Sequence, residues 1–213
     1  MSKMTVRGIA IVAVLLLGSL AAVVFVVGQR QRSKAERLLN DLYRMKSGTA
    51  SFAAARGFVT QYGGYSVGPC TKEKCRFDIV VSNEIYYKLR LARPKELAVT
   101  LRIEDDRLSS ISFGLLCTPS DPDRYPLGYG VHIDDDSCYP CYEGQKAFMA
   151  KRNGTDSAHT EQILVQLTSA STLEQRRAAY GLDLDCLSEL GDCPQLDKVA
   201  PAVWQEIERQ TVY

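Results

Sequence analysis

Residues 97–115, LAVTLRIEDDRLSSISFGL, decide the fold class of this chain. Apolar side chains occupy every second position on both sides of the charged tetrad 104–107, and a period of two indicates half-buried β-strands. A short charged turn between two such strands joins them as an antiparallel hairpin with one face on a core. The stretch therefore predicts a sheet built by local pairing.

The same alternation recurs outward from the hairpin, at residues 77–81 before it and at 129–133 and 163–167 after it. Helical patterns enclose the strands. A capping box of Ser33 and Glu36 predicts one helix, ended by the serine and glycine at 47–48, and a second helix is expected over 50–62. Later helices are predicted from a second capping box, Ser171 with Glu174, and around 203–208.

The segment from Gly8 to Gly28 contains no charged residue, and as a helix it would extend roughly 30 Å, the thickness of a bilayer core. A buried core helix would show a polar face. A cleaved signal peptide would have a shorter apolar region and a small-residue cleavage site. An uncleaved signal anchor fits better, so we predict an α+β fold: a transmembrane helix, two short helices, an antiparallel meander and C-terminal helices.

The predicted organisation is an N-terminal tail (1–7), the membrane helix (8–28), a juxtamembrane linker (29–32) and one α+β globular domain (33–213). Basic residues follow the membrane helix more densely than they precede it, which favours a cytoplasmic domain. Cysteine usage favours the opposite side, because closely spaced pairs suit an oxidising compartment. We expect a single-pass plasma-membrane protein with its domain outside the cytoplasm.

Seven cysteines occur, and six of them form closely spaced pairs. Disulfides are predicted between Cys70 and Cys75 and between Cys186 and Cys193. The disulfide candidates are Cys70, Cys75, Cys138, Cys141, Cys186 and Cys193, with Cys117 available to pair with Cys138 or Cys141.

The stretch 134–141, DDDSCYPC, permits three interpretations. A redox pair is disfavoured because the acidic residues before Cys138 raise thiol pKa values and no proline between 140 and 194 could face the pair. A zinc site would recruit His132 or the pair Cys70 and Cys75. Structural disulfides are the expectation for Cys138 and Cys141, with no metal and no cofactor.

The region from Arg37 through Gly48 and Phe52 to Tyr65 resembles the helix, glycine turn, helix and meander of small outer-membrane assembly lipoproteins, although no lipid-accepting cysteine lies near the start. The segment 186–193, CLSELGDC, resembles an element of uncharacterised bacterial single-pass membrane-anchored proteins. The first resemblance implies a role in envelope assembly, and the second implies no activity.

The net charge and the absence of catalytic motifs exclude several classes of function. The part from Gln29 onward is nearly neutral, which argues against a nucleic-acid partner. The sequence contains no nucleophile elbow, zincin motif or phosphate loop. We therefore expect a non-enzymatic, membrane-anchored binding or envelope-assembly accessory that contacts a protein partner through its sheet and the 119–142 loop. The alternative is a membrane-tethered thiol-disulfide or metal-binding protein that uses Cys138 and Cys141.

Overall fold

The computed structural model describes residues 3–45, 49–118, 127–134, 148–153, 162–168 and 170–211. The helices are α1 (Lys3–Arg44), α2 (Phe52–Gln61), α3 (Glu84–Lys88), α4 (Leu173–Tyr180), α5 (Leu196–Val199) and α6 (Pro201–Thr211), with a 3-10 turn at Asp185–Leu187. The strands are β1 (Tyr65–Ser66), β2 (Lys74–Ser82), β3 (Lys95–Glu104), β4 (Arg107–Cys117), β5 (Leu127–Asp134), β6 (Phe148–Asn153) and β7 (Gln162–Leu167). The predicted α+β class is confirmed.

The hairpin predicted from residues 97–115 is formed by β3 and β4, which pair antiparallel from Lys95 opposite Cys117 to Glu104 opposite Arg107. Asp105 and Asp106 make the turn in the left-handed region, with φ of 50° and 63°. Aspartate tolerates this conformation better than most residues with a side chain. Local pairing also places β2 beside β3 and β5 beside β4, both antiparallel.

The far side of the sheet departs from a simple meander. The strand order is β1-β2-β3-β4-β5-β7-β6, so β7 lies next to β5 and pairs with it in parallel. The strand β6, which the alternation did not predict, forms the outer edge and pairs antiparallel with β7. The sheet is therefore mixed at this side, because the chain reaches β7 only after passing through the edge strand.

The first of the two predicted short helices is not separate, since α1 runs without interruption from the apolar segment through residues 29–32 to Arg44. The capping box predicted at Ser33 and Glu36 is wrong. Glu36 instead accepts a hydrogen bond from Arg32 at 2.7 Å, one turn earlier in the same helix. That helical (i, i+4) pair stabilises a continuous helix at the place where the sequence pattern suggested a start.

The second predicted helix is confirmed as α2, which Ser51 caps by accepting a hydrogen bond from the Ala54 backbone. Gly63, at φ 69°, adopts the left-handed conformation that ends such helices. Helix α4 is confirmed one residue out of register, because Thr172 and Gln175 form its capping box rather than Ser171 and Glu174. Helix α6 covers the predicted last helix.

One hydrophobic core lies between the sheet and the helices. The inward side chains of β2, β3, β4, β5 and β7 are buried in alternation with outward ones. The C-terminal half of α1 contributes an apolar stripe at helical spacing, formed by Ala35, Leu38, Leu39 and Leu42, each at most 5% exposed. Of the described helices, all but α3 contribute buried side chains to this core.

Helix α1 runs alongside the strands from one end of the sheet to the other. At one end, which we call the anchor end, α3 connects Ser82 to Lys95, and the Tyr86 hydroxyl donates a hydrogen bond to the Val24 carbonyl at 3.0 Å. At the opposite, far end, the Leu108 backbone N–H donates to the Ala50 carbonyl just after α1. The apolar segment of α1 thus leaves the domain at the anchor end.

Candidate binding face and cysteine cluster

The predicted disulfide between Cys70 and Cys75 is present, with the two Cα atoms 4.4 Å apart. It closes the turn that leads into β2, where the Thr71 backbone N–H donates to the Lys74 carbonyl at 3.1 Å. This disulfide therefore fixes a local turn and links no distant parts of the chain.

The predicted disulfide between Cys186 and Cys193 is wrong, because the structure joins Cys193 to Cys117 over a sequence separation of 76 residues. Cys117 is the last inward side chain of β4, so the strand delivers it to the core beneath the segment 185–193. Sequence spacing favoured Cys186 as the partner of Cys193, whereas the sheet places Cys117, which is distant in sequence, at bonding distance from Cys193. The disulfide ties the anchor end of the sheet to the C-terminal helices.

Cys186 remains a buried thiol beside this disulfide. Its Sγ lies 2.7 Å from Sγ of Cys193 and 3.9 Å from Sγ of Cys117. Burial raises the pKa of the Cys186 thiol to about 12, against an ordinary value near 9. Two of the three sulfurs are joined to each other, so the cluster offers one neutral thiol rather than the four ligands that structural zinc prefers.

Lys95 is a buried cation in the same region, only 1% exposed. Its Nζ donates hydrogen bonds to the carbonyls of Cys186 at 2.9 Å and Glu189 at 3.0 Å, and to the carbonyl of Gly191. Burial lowers the pKa of Lys95. Three backbone acceptors compensate for the lost hydration of the ammonium group, so Lys95 organises the loop between Cys186 and Cys193.

Cys138 and Cys141, with most of the acidic stretch before them, lie outside the described residues, so their predicted structural link stays a prediction. The zinc site considered at this stretch would have used the pair Cys70 and Cys75, which a disulfide joins, or His132. That side chain lies on the outward face of β5, where its Nδ1 is 2.7 Å from Oγ of Ser112 on β4.

The outward side of the sheet, which we call the open face, is formed by the outward residues of β2, β3, β4, β5 and β7. No helix within the described ranges packs on it, since the core helices lie on the inward side. Strand register aligns two rows across this face. One row is polar: Asp78, Thr100, Ser112, His132 and Gln166. The next row is small at its centre and apolar at its ends: Val80, Ala98, Gly114, Gly130 and Leu164.

The polar row is ordered by hydrogen bonds between neighbouring strands. Thr100 Oγ1 donates to Asp78 Oδ1 at 2.8 Å, and Arg76 contacts the same carboxylate through two guanidinium nitrogens at 3.0 Å each. Ser112 and His132 form the second contact of the row. These bonds fix the side chains of the row relative to one another, and ordered side chains lose less entropy when a surface binds another molecule.

A serine beside a histidine is also the beginning of a nucleophilic site, but the surroundings differ from those of a hydrolase. Ser112 and His132 lie in paired central strands, whose backbone N–H groups are engaged in the ladders on both sides. Hydrolysis of an acyl group needs free backbone or side-chain donors for the developing oxyanion. The geometry therefore favours a preformed binding surface with side-chain donors and acceptors.

Sequence reasoning missed both Lys95 and the polar row. Lys95 lies two residues before Leu97 in β3 and therefore points to the same inward face. The alternation in the sequence could have predicted its burial. The polar row could be assigned to the outward face by the same alternation, but alignment across five strands depends on register, which the sequence pattern alone leaves open.

No family model, curated protein or solved structure matches this chain.

Proposed function

We propose that this chain is a non-enzymatic, single-pass membrane protein whose extracytoplasmic domain binds an envelope protein on its open face, as an accessory to assembly. The observation that carries the proposal is the placement of that face. A helix that is long and apolar enough to cross a membrane continues into the core of the domain. The open face lies on the opposite side of the sheet, away from the helices.

Exposure of the apolar segment supports the membrane anchor. Most of its large side chains are exposed, and Ile9, Leu16 and Phe25 are each more than 60% exposed, so the segment is not the core helix of this domain. A row of exposed leucines, isoleucines and valines of this length is stable in hydrocarbon and unfavourable in water.

The two disulfides support an oxidising compartment, and therefore the extracytoplasmic side. The topology is tested by fusing, after Tyr213, a reporter enzyme that is active only outside the cytoplasm. We expect activity from this fusion and none from a matched fusion to a reporter that works only in the cytoplasm. The reverse pattern would place the domain in the cytoplasm and reject this part of the proposal.

Binding on the open face is tested by photo-crosslinking in native membranes. A photoreactive phenylalanine analogue at Leu164, which is 50% exposed at the end of the small-residue row, should form one discrete protein adduct. The matched control is the same analogue at Leu173, which is 58% exposed on α4 and belongs to the helical side. It should form no adduct of that size.

A substitution in the middle of the open face distinguishes a specific crosslinked adduct from one formed by chance contact. Ala98→Arg adds a long charged side chain beside Gly114 without entering the core, because Ala98 points outward. We expect it to abolish the Leu164 adduct while the thermal midpoint stays within about 2 °C, as for most surface changes. An adduct that survives Ala98→Arg, or equal adducts from Leu164 and Leu173, would contradict binding at this face.

A further inference from the structure

The anchor end of the domain packs directly onto the end of the apolar segment. Tyr86 of α3 donates its hydroxyl hydrogen to the Val24 carbonyl, and Val24 is only 8% exposed. At Gly28 an added Cβ would collide with the Tyr86 hydroxyl, so glycine is what permits this close approach. Val24 lies four residues, about 6 Å, inside the end of the uncharged segment. With the proposed anchor in a bilayer, α3 therefore lies at the depth of the lipid headgroups.

Exposed apolar side chains surround this contact. Tyr87 is 53% exposed, Leu91 is 43% exposed and Leu190 is 52% exposed, and all three line one surface groove of about 470 Å³ with Arg90 and Arg93. We call the set the anchor-end patch, which consists of Ile85, Tyr87, Lys88, Leu89, Arg90, Leu91, Arg93 and Leu190. Tyrosine, leucine and arginine together are the composition that proteins place at membrane interfaces.

Backbone strain at Arg90 supports a role for its charge. The residue has a φ of 58°, which favours glycine, and it ends α3 as the Leu91 N–H bonds to the Tyr86 carbonyl at 2.8 Å. Glycine would form this turn without strain, whereas the chain has an arginine whose side chain lines the groove. Strained residues of this kind cluster at functional sites, so the observation supports a role for the charge.

We propose that the anchor-end patch docks on the bilayer surface, with its apolar side chains in the interfacial layer and its basic side chains on anionic phospholipid headgroups. This inference rests on the proposed membrane anchor. The bilayer is the partner expected for this patch, because the contact with α1 holds the patch beside the segment that enters the bilayer. Lys88, Arg90 and Arg93 are the basic side chains of the patch, and Lys88 pairs with Glu84 at 2.7 Å. Glu189 and Asp192 are exposed on either side of Leu190, so the positive charge is concentrated on the segment 88–93, which contains no acidic residue.

Depth-dependent fluorescence quenching of the full-length chain tests the docking. In a Trp204→Phe background, which removes the one native tryptophan, single reporters are placed by Leu91→Trp in the patch, Leu16→Trp in the apolar segment and Glu104→Trp at the far end. Each chain is reconstituted in vesicles of phosphatidylcholine with brominated acyl chains, with or without phosphatidylglycerol. Glu104 is the matched exposed control, about 30 Å along β3 from the anchor end.

We expect strong quenching of Leu16→Trp, about half as much for Leu91→Trp, as for a side chain at the interface, and none for Glu104→Trp. Phosphatidylglycerol should increase quenching at Leu91→Trp. Arg90→Gly, which keeps the turn and removes the charge, should reduce that increase by about half, whereas Arg102→Gln on the open face should leave it unchanged.

The outcomes separate the two proposals. Absence of quenching at Leu16→Trp overturns the membrane anchor itself, and the docking with it. Quenching at Leu16→Trp without quenching at Leu91→Trp overturns only the docking. A protein bound over the patch, which would shield Leu91→Trp from the brominated acyl chains, overturns the docking in the same way. Quenching that phosphatidylglycerol does not change overturns the assignment of the basic residues to anionic headgroups. Leu190→Trp repeats the test from the other wall of the groove if Leu91→Trp fails to fold.

Discussion

Lys95 shows how one buried charge can organise a loop. Its three carbonyl acceptors all come from the segment 186–191, so the ammonium group replaces the backbone partners that this irregular segment lacks. Lys95→Met keeps the side-chain volume and removes the donors. We expect a loss of about 3 kcal/mol in the free energy of unfolding, because one buried and two partly buried carbonyls lose their partner. Chemical denaturation measures it.

The matched control is Lys74→Met at the far end of β2, where the lysine side chain is exposed. This change should alter the free energy of unfolding by no more than about 0.5 kcal/mol. Equal effects of the two substitutions would show that Lys95 contributes only its hydrophobic stem.

Cys186 provides a prediction of pH dependence. Burial holds its pKa near 12 in the folded chain, whereas the unfolded value is near 9. The folded state therefore keeps a proton that the unfolded state releases, so this contribution to stability is complete below about pH 9 and is lost as the pH rises toward 12. Over that interval the free energy of unfolding should fall more steeply in the wild type than in Cys186→Ala, as measured by denaturation at a series of pH values.

Burial of the Cys186 thiol should also make it unreactive toward alkylating reagents at neutral pH. Iodoacetamide should leave Cys186 unlabelled in the folded chain and label it after unfolding without reductant. Labelling of Cys186 in the folded chain, or parallel pH curves for the wild type and Cys186→Ala, would be inconsistent with a deeply buried thiol.

At the scale of elements, the disulfide between Cys117 and Cys193 connects β4 to the C-terminal helices. Loop-closure entropy predicts about 4 kcal/mol for its separation of 76 residues and about 2 kcal/mol for the separation of 5 between Cys70 and Cys75. Cys193→Ala should therefore lower the free energy of unfolding about twice as much as Cys70→Ala.

Cys117→Ala leaves Sγ of Cys193 2.7 Å from Sγ of Cys186, so a replacement bond between these two should limit the loss. Peptide mapping of the unreduced wild type should recover the peptide pair that contains Cys117 and Cys193. Recovery of Cys186 bonded to Cys193 instead would restore the pairing that the sequence spacing suggested.

The contact between α1 and α3 is tested by glycine substitution. Gly28→Ala places a methyl group against the Tyr86 hydroxyl, and overpacking of this kind costs about 2 kcal/mol. Gly18→Ala is the matched control in the same helix, since nothing lies within 4 Å of its added Cβ. We expect a lower thermal midpoint for Gly28→Ala alone, measured on the full chain in detergent. Similar midpoints for both variants would argue that α3 does not pack on the helix.

The accuracy of the sequence predictions followed the range of the interactions. The β3–β4 hairpin and α2 were predictable because alternation, Ser51 and Gly63 encode them within a few residues. Continuity of α1 was missed because a capping-box pattern at Ser33 also fits a helix interior. The parallel pairing of β5 with β7 and the bond from Cys117 to Cys193 depend on where distant segments meet, which no local pattern specifies.

At the scale of the whole molecule, α1 is one continuous helix from the apolar segment to the far end of the sheet. Insertion of Gly-Ser-Gly between Arg30 and Gln31, combined with Tyr86→Phe to remove the hydrogen bond to Val24, should uncouple the domain from the anchor. We expect faster decay of Trp204 fluorescence anisotropy in lipid nanodiscs than for the wild type, because a flexible linker permits independent rotation. The same insertion between Asp105 and Asp106 is the control and should leave the decay unchanged.

The direction of α1 also determines how the open face is presented. The strands run alongside a helix that, with the proposed anchor, stands upright in the bilayer, so the side chains of the outward row from Val80 to Leu164 point parallel to the membrane plane rather than away from the membrane. A partner on this face must arrive from the side. Its search is then two-dimensional, which favours another membrane-attached protein, since confinement to one surface raises the local concentration of both molecules without any added contact.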